Sequence, residues 1–334
     1  MFKWIKSFLI ARKQIVNIKN SFSEPLGVGS GVPQGSVIGP LLFIDDIANT
    51  NSVETSITMY ADDIKIFSDN PHALQKDLDN ICRFFETRQL EISPEKCQQI
   101  TISKSENKVH FYINNETVRQ CTTVKDLGVT IAGNLKWATH ISTIKSEAFR
   151  KCRFILKSFS SKNIWTLLKA YIVFVRPIIE YASSVWSPHL QQDIKSLEQV
   201  QRFYTRRICR RCKIPFRSYI DRLNKLSIAS LEYRRLETDL MMVYKILHQH
   251  VELQMSDFFT LYTSSYQTRR HQHCLEIKRC KYKGQQGTFG SRIVKTWNKL
   301  PASIVGSNTL IEFRKKLIKF DLTTIAELSI SSLP

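Results

Sequence analysis

Asp62 and Asp63 are neighbouring carboxylates in the run Tyr60-Ala61-Asp62-Asp63. Ionised and side by side they repel each other, and a divalent cation is the natural means of neutralising them. The chemistry that most needs such a pair is phosphoryl transfer at a two-metal centre. Aspartate also favours turns, so the tetrapeptide alone is equally consistent with a plain hairpin bend. Its flanks carry Ile57 and Met59 on one side and Ile64 and Ile66 on the other. That alternation predicts a strand, a tight turn and a second strand, with the carboxylates at the bend.

Upstream, Gly31-Val32-Pro33-Gln34-Gly35-Ser36 leads into the apolar run Val37-Ile38-Gly39-Pro40-Leu41-Leu42-Phe43. Glycines around a proline and an amide make a backbone that can approach a ligand closely, with Gln34 able to donate and accept. Taken in order, GVPQGSVIGPLLF and YADD resemble the palm of a reverse transcriptase. More narrowly, they are similar to the polymerase of non-LTR retrotransposons of the jockey type. The resemblance implies synthesis of DNA on an RNA template from a DNA primer and deoxynucleoside triphosphates, with Mg2+ or Mn2+ as cofactor. It sets Pro33, Gln34 and Gly35, with Tyr60 and Ala61, against the template and nucleotide. Asp62 then ligates metal, and Asp63 supports the metal site and the primer end.

Further motifs extend the resemblance. Leu90-Glu91-Ile92-Ser93-Pro94-Glu95-Lys96-Cys97 looks like the next palm motif, whose lysine protonates the leaving pyrophosphate; that role falls on Lys96. Asp126-Leu127-Gly128-Val129 looks like the hairpin that grips the primer backbone, which assigns Leu127 and Gly128 to primer binding. Val175-Arg176-Pro177, Glu180-Tyr181-Ala182, Leu231-Glu232-Tyr233-Arg234-Arg235 and Trp297-Asn298-Lys299-Leu300-Pro301 resemble the thumb and the region beyond it. In the family another catalytic aspartate precedes the Pro-Gln-Gly loop, whereas no Asp occurs here before Asp45. The expectation is therefore an N-terminally truncated palm, without fingers or first catalytic motif, weak or inactive as this chain alone. The alternative is a non-catalytic nucleic-acid-binding remnant of such an element. Asp45-Asp46 lacks hairpin flanks and reads as an exposed helix end.

The chain has 49 Lys and Arg against 29 Asp and Glu, a net charge of +20 over 334 residues. Such an excess points to a polyanionic partner. Arg202, Arg206, Arg207, Arg210, Arg211, Lys213 and Arg217 follow one another with no acidic residue between them. A solvated helix face gains from mixed signs four residues apart, and this one forgoes that gain. It reads as a strip for a nucleic-acid backbone, touched without reading sequence. No apolar run approaches the ~20 residues of a spanning helix, and the N-terminus lacks a secretory cleavage pattern. The eight cysteines show no disulfide spacing, so an intracellular setting, nucleus or cytoplasm and not secreted, is expected. Cys209 and Cys212 have metal-clip spacing, but they fall within a predicted helix, which argues against zinc.

These residues need elements to hold them. The expected fold class is α+β: a partial polymerase palm, an antiparallel sheet with packed helices, over residues 1–135. A mostly helical thumb-like domain follows over 136–250, then a C-terminal region over 251–334, partly loop-rich. Asn70-Pro71 predicts a helix start, and Leu74, Leu78, Ile81 and Phe85 form its apolar stripe. Val109, Phe111 and Ile113 alternate before Asn114-Asn115, a hairpin signal. Ile141, Ile144, Ala148, Cys152 and Ile155 mark the core face of one later helix; Leu167, Leu168, Tyr171, Ile172 and Val175 mark another. Residues 254–290 are polar and read as loop, and a short helix is expected near Phe313 to Phe320.

Overall fold

The computed structural model describes residues 2–29, 31, 47, 52–102, 109–262, 271–278, 287–326 and 328–329. The chain divides into two compact units, Met1–Gln99 with Ser105–Cys121, and Ile100–Lys104 with Thr122–Pro334.

In the first unit, α1 (Phe2–Leu9) precedes β1 (Arg12–Gln14), β2 (Asn17–Ile18), β3 (Ser21–Phe22) and β4 (Leu26–Val28). β2 and β3 form a hairpin, and β1 pairs antiparallel with β4 around it. A second hairpin joins β5 (Ser56–Tyr60) to β6 (Asp63–Phe67). α2 (Pro71–Thr87) starts where Asn70-Pro71 predicts. The Asn70 side chain accepts hydrogen bonds from the amides of His72 and Ala73, and Pro71 takes a helical position where no N–H is needed. After α2 come β7 (Gln98–Ile100), β8 (Tyr112–Ile113), β9 (Glu116–Thr117) and β10 (Arg119–Cys121). Asn114 and Asn115 turn β8 into β9 with φ of +49° and +67°, the left-handed pair that a two-residue hairpin favours. α2 holds this hairpin through Gln75, which donates to the Tyr112 carbonyl at 2.9 Å and accepts from its amide at 2.9 Å. Cys82, Ile113 and Val118 form the small core between them. These small antiparallel sheets with packed helices give the α+β class expected from sequence.

The second unit opens with the hairpin β11 (Thr123–Asp126) and β12 (Val129–Ala132) and continues as helices. They are α3 (Ala138–Ser158), α4 (Ile164–Phe174), α5 (Arg176–Glu180), α6 (Ser183–Trp186), α7 (Gln191–Arg211), α8 (Tyr219–Leu226) and α9 (Leu231–Leu247). α10 (Met255–Phe258), α11 (Phe289–Trp297), α12 (Ala302–Val305) and α13 (Leu310–Lys319) complete the set. The predicted stripe of α3 is buried throughout, and Cys152 and Ile155 meet Leu167 and Tyr171 of α4 and Tyr204 and Ile208 of α7 in one core. Leu240 and Tyr244 of α9, Trp297 of α11 and Phe313 of α13 make another.

Two polar clusters lock the helices together. Glu198 of α7 is fully buried and accepts from the Leu231 amide at the start of α9 at 3.1 Å and from the Tyr219 hydroxyl of α8. Burial pushes its carboxyl up, while the Tyr219 hydrogen bond and the charge of Arg235 pull the other way. Asp239 of α9 receives a two-pronged contact from Arg292 of α11, at 2.9 Å from Nε and 3.1 Å from Nη2.

Contacts place Thr122–Pro334, with Ile100–Lys104, in the second unit, so the β11–β12 hairpin belongs with the helices. The reason is packing: Val129 joins a core with Ile141, Ile144, Trp186 and Leu197. Within 254–290 the described residues are 254–262, 271–278 and 287–290. They contain α10, an antiparallel bridge between Leu261 and Leu275, and the start of α11. Phe259 and Leu275 supply the missing signal, as both are buried in the core of α9 and α11.

Candidate active site and nucleic-acid surface

β5 and β6 pair in register from Ser56↔Phe67 to Tyr60↔Asp63, which leaves Ala61 and Asp62 as the two turn residues. Ala61 takes φ of +53°, the left-handed conformation that a turn this tight requires. Side chains alternate between the faces of a strand, so the register sorts them. Ile57, Met59, Ile64 and Ile66 share one face and are half-buried; Thr58, Tyr60, Asp63 and Lys65 share the other. Tyr60, Ala61, Asp62 and Asp63 are all exposed. The hairpin is fastened at its base rather than its tip. Ser68 donates to the Glu54 carbonyl at 2.7 Å, and Asn70, the cap of α2, donates to the Glu54 carboxylate at 2.6 Å. Asp77 of α2 accepts from the Ser52 amide at 2.9 Å, the Ser52 hydroxyl at 2.7 Å and the Thr55 hydroxyl. Burial alone would raise the Asp77 carboxyl, but these hydrogen bonds outweigh it and hold it below the usual range.

Carboxylate oxygens are the hard donors that Mg2+ and Mn2+ prefer, so the donor chemistry of the turn suits such an ion. Among the described residues no third Asp, Glu, His or Cys gathers with them. The turn therefore offers part of a ligand set. Lys96 ends a single 3-10 turn, Pro94–Lys96, and is exposed; no hydrogen bond or ion pair joins it to either carboxylate. Pro33, Gln34 and Gly35 lie outside the described residues, as do Asp45 and Asp46.

Leu127 and Gly128 form the turn of the β11–β12 hairpin, with φ of +43° and +85°. The Tyr181 hydroxyl donates to the Leu127 carbonyl at 3.0 Å, and the Tyr181 ring lies so close to Gly128 that a Cβ there would sit 3.3 Å from it. At the next strand position but one, the Thr130 amide donates to Nδ1 of His140 at 3.2 Å.

The basic strip occupies the last turns of α7. Arg202, Arg206, Arg207 and Arg210 are exposed, with Tyr204, Ile208 and Cys209 buried behind them. Lys213 and Arg217, beyond the helix, are also exposed. Arg211 differs. Its guanidinium donates to the carbonyls of Leu156 at 2.6 Å and Phe159 at 2.7 Å, so it caps the C-terminus of α3. Burial raises the Cys209 and Cys212 thiols above their ordinary range, which disfavours the thiolate a metal needs. Reading along α7 missed Arg222, Phe216 and Tyr219, which close a cavity of about 640 Å³ beside the strip. The available signal was Arg222 itself, a further arginine five residues beyond Arg217.

Residues 1–131 match the reverse transcriptase (RNA-dependent DNA polymerase) family. The chain is homologous to the RNA-directed DNA polymerases of jockey and other non-LTR transposons. It is 28% identical over 228 residues to the polymerase from mobile element jockey of Drosophila funebris, covering 62% of this chain and 25% of that protein. It is 27% identical over 218 residues to the probable polymerase from transposon BS of Drosophila melanogaster, covering 59% of this chain and 24% of that protein. An uncharacterized Caenorhabditis elegans protein is 34% identical over 124 residues, covering 37% of this chain and 63% of that protein. The match thus spans about a quarter of the length of the transposon polymerases. No solved structure matches the chain. Among the described residues, no helix is long and apolar enough to cross a membrane.

Proposed function

We propose that the chain acts in RNA-directed DNA synthesis, adding deoxynucleotides to a primer 3′-hydroxyl on an RNA template. The observation that carries this reading is the placement of Asp62 and Asp63 at the exposed tip of an in-register hairpin, inside the stretch that matches reverse transcriptases. The family generally uses divalent metal ions, and its substrates are nucleic acid and nucleotides. Asp62 and Asp63 are the residues that would hold Mg2+ or Mn2+. When bound, such ions supply positive charge at the reacting phosphate and favour ionisation of the attacking hydroxyl.

The remaining roles fall on this chain's own groups. In the reaction the 3′-oxygen forms a bond to the α-phosphorus, the bond to pyrophosphate breaks, and Lys96 gives a proton to that leaving group. Pro33, Gln34 and Gly35, with Tyr60 and Ala61, border the template and the incoming nucleotide. Leu127 and Gly128 offer backbone to the primer. Arg202, Arg206, Arg207, Arg210 and Lys213 position the nucleic-acid backbone through phosphates, without sequence preference. In this assignment residues 1–135 are the palm part, 136–250 the thumb-like part and 251–334 the C-terminal region. Arg211, also expected in the strip, uses two of its five N–H donors on the end of α3 and keeps the others for a phosphate.

Primer extension on an RNA template with Mg2+ or Mn2+ tests the reading. Asp62→Ala is expected to abolish the incorporation that the chain supports, since a metal-ligating carboxylate contributes several kcal/mol of transition-state stabilisation. Incorporation equal to that of the unaltered chain would remove Asp62 from the reaction.

A further inference from the structure

The strip on α7 is one wall of a cavity, and the other wall is α8 with the segment leading into it. Arg202 and Arg206 line the first wall; Phe216, Arg217, Tyr219 and Arg222 line the second. The cavity, open to solvent on one side, has a volume of about 640 Å³, enough for a compact ligand. Arg222 sits deep in this cavity, 7% exposed. Its Nε donates to the Thr205 hydroxyl at 3.3 Å and its Nη1 to the Ser218 carbonyl at 3.4 Å, and no carboxylate among the described residues pairs with it. Buried charges are ordinarily paired. Aromatic rings hold the guanidinium planes in place: Arg222 lies 4.7 Å from the Phe216 centroid and 5.3 Å from that of Tyr219, and Arg202 lies 4.5 Å from the Tyr219 centroid. Asp221, the neighbour of Arg222 on α8, is already engaged, by the Arg217 amide at 2.8 Å and by Lys225 at 3.3 Å. Burial lowers the Arg222 guanidinium from its ordinary value; Cys209 and Tyr219 pull the other way, while Arg206 and Arg202 add to the lowering.

We infer that the cavity between α7 and α8 receives the phosphorylated 5′ end of a nucleic-acid strand. This rests on the nucleic-acid reading above and deepens it. A backbone diester carries a single negative charge, spaced along the strand. A terminal phosphate carries about −1.5 to −2 at neutral pH, and a triphosphate more, concentrated in one place. Preoriented guanidinium forks in a concave site match concentrated charge, with two-pronged contacts to the terminal oxygens. Arg222 is the deepest of these forks and Arg217 closes the side opposite α7.

The test is fluorescence anisotropy of the full chain with one single-stranded RNA carrying a 5′-triphosphate, a 5′-monophosphate or a 5′-hydroxyl. The phosphorylated strands should bind about tenfold tighter than the hydroxyl strand, the triphosphate most tightly. Arg206→Ala and Arg217→Ala, both at exposed positions, should erase that preference, and Arg206→Ala should also weaken binding of the hydroxyl strand. Arg222→Lys keeps the charge but loses the fork and should erase the preference too, with thermal melting as the check on folding. The charge-matched control Lys315→Ala, on α13, should keep it. Equal affinity for all three ends overturns the end-binding inference and leaves the nucleic-acid reading standing. Full displacement of the triphosphate strand by equimolar ATP reassigns the cavity to a free nucleotide and also overturns it. Failure of the unaltered chain to bind any of the strands overturns both.

Discussion

Two hairpins in this chain share a local design and differ in everything around it. β5–β6 and β11–β12 are both closed by two-residue turns with left-handed backbone, at Ala61 in one and at Leu127 and Gly128 in the other. The first is tied at its base, through Glu54, Ser68, Asn70 and Asp77, and presents its carboxylates to solvent. The second is held at its tip by Tyr181 and along one face by a core containing Val129 and Trp186. Turn chemistry alone suffices to make a bend. Whether the bend offers reactive groups or rigid backbone depends on what packs against it.

The comparison breaks most readily at Trp186, which is fully buried and donates its indole N–H to the Tyr181 carbonyl at 2.8 Å. Trp186→Ala is expected to destabilise the helical unit by about 3–5 kcal/mol, read by calorimetry or denaturant melting. A loss below about 1 kcal/mol would mean that the core under β11–β12 does not anchor it. Next, Gly128→Ala combines a left-handed φ with a close approach to Tyr181 and should cost about 1–2 kcal/mol.

The base of the other hairpin should respond to acid. The folded-state carboxyl of Asp77 is held below its unfolded value, so the stability it contributes is present above about pH 4 and fades as pH falls through the lower, folded value. Asp77→Asn should flatten that acid limb in a pH series of melting curves, and an unchanged limb would show that another carboxylate governs it. The smallest effect belongs to the tip: Tyr60→Ala, at a 63% exposed side chain, should shift stability by no more than about 0.5 kcal/mol. A larger cost would mean that the tip is packed, erasing the contrast with β11–β12.

Features set by near neighbours were readable before the fold was known. The Asp62-Asp63 bend, the Asn70-Pro71 helix start, the Asn114-Asn115 turn and the apolar stripe of α3 each depend on residues a few positions apart, where periodicity and capping rules operate. Features set by distant neighbours were not. Arg211 looked like its neighbours in the strip, yet its partners, Leu156 and Phe159, lie more than fifty positions away. Glu198 reads as one more charged helix residue, but its acceptors are used by Tyr219 and Leu231 across two other helices. The attachment of β11–β12 to the helical unit was hidden for the same reason, since Tyr181 and Trp186 do the attaching. The site shows the same division: the bend and the helical basic stripe are local patterns, whereas the cavity wall containing Arg222 arises from the packing of α8 on α7.

The central claim is that the exposed carboxylate bend holds a divalent ion beside a growing DNA end. Titration of Mn2+ into the chain bound to a primer–template, followed by the electron paramagnetic resonance signal of free Mn2+, addresses it most directly. The account predicts saturable uptake that is lost in Asp62→Ala and in Asp63→Ala while melting curves stay unchanged. Equal uptake by the unaltered chain and both variants would contradict it.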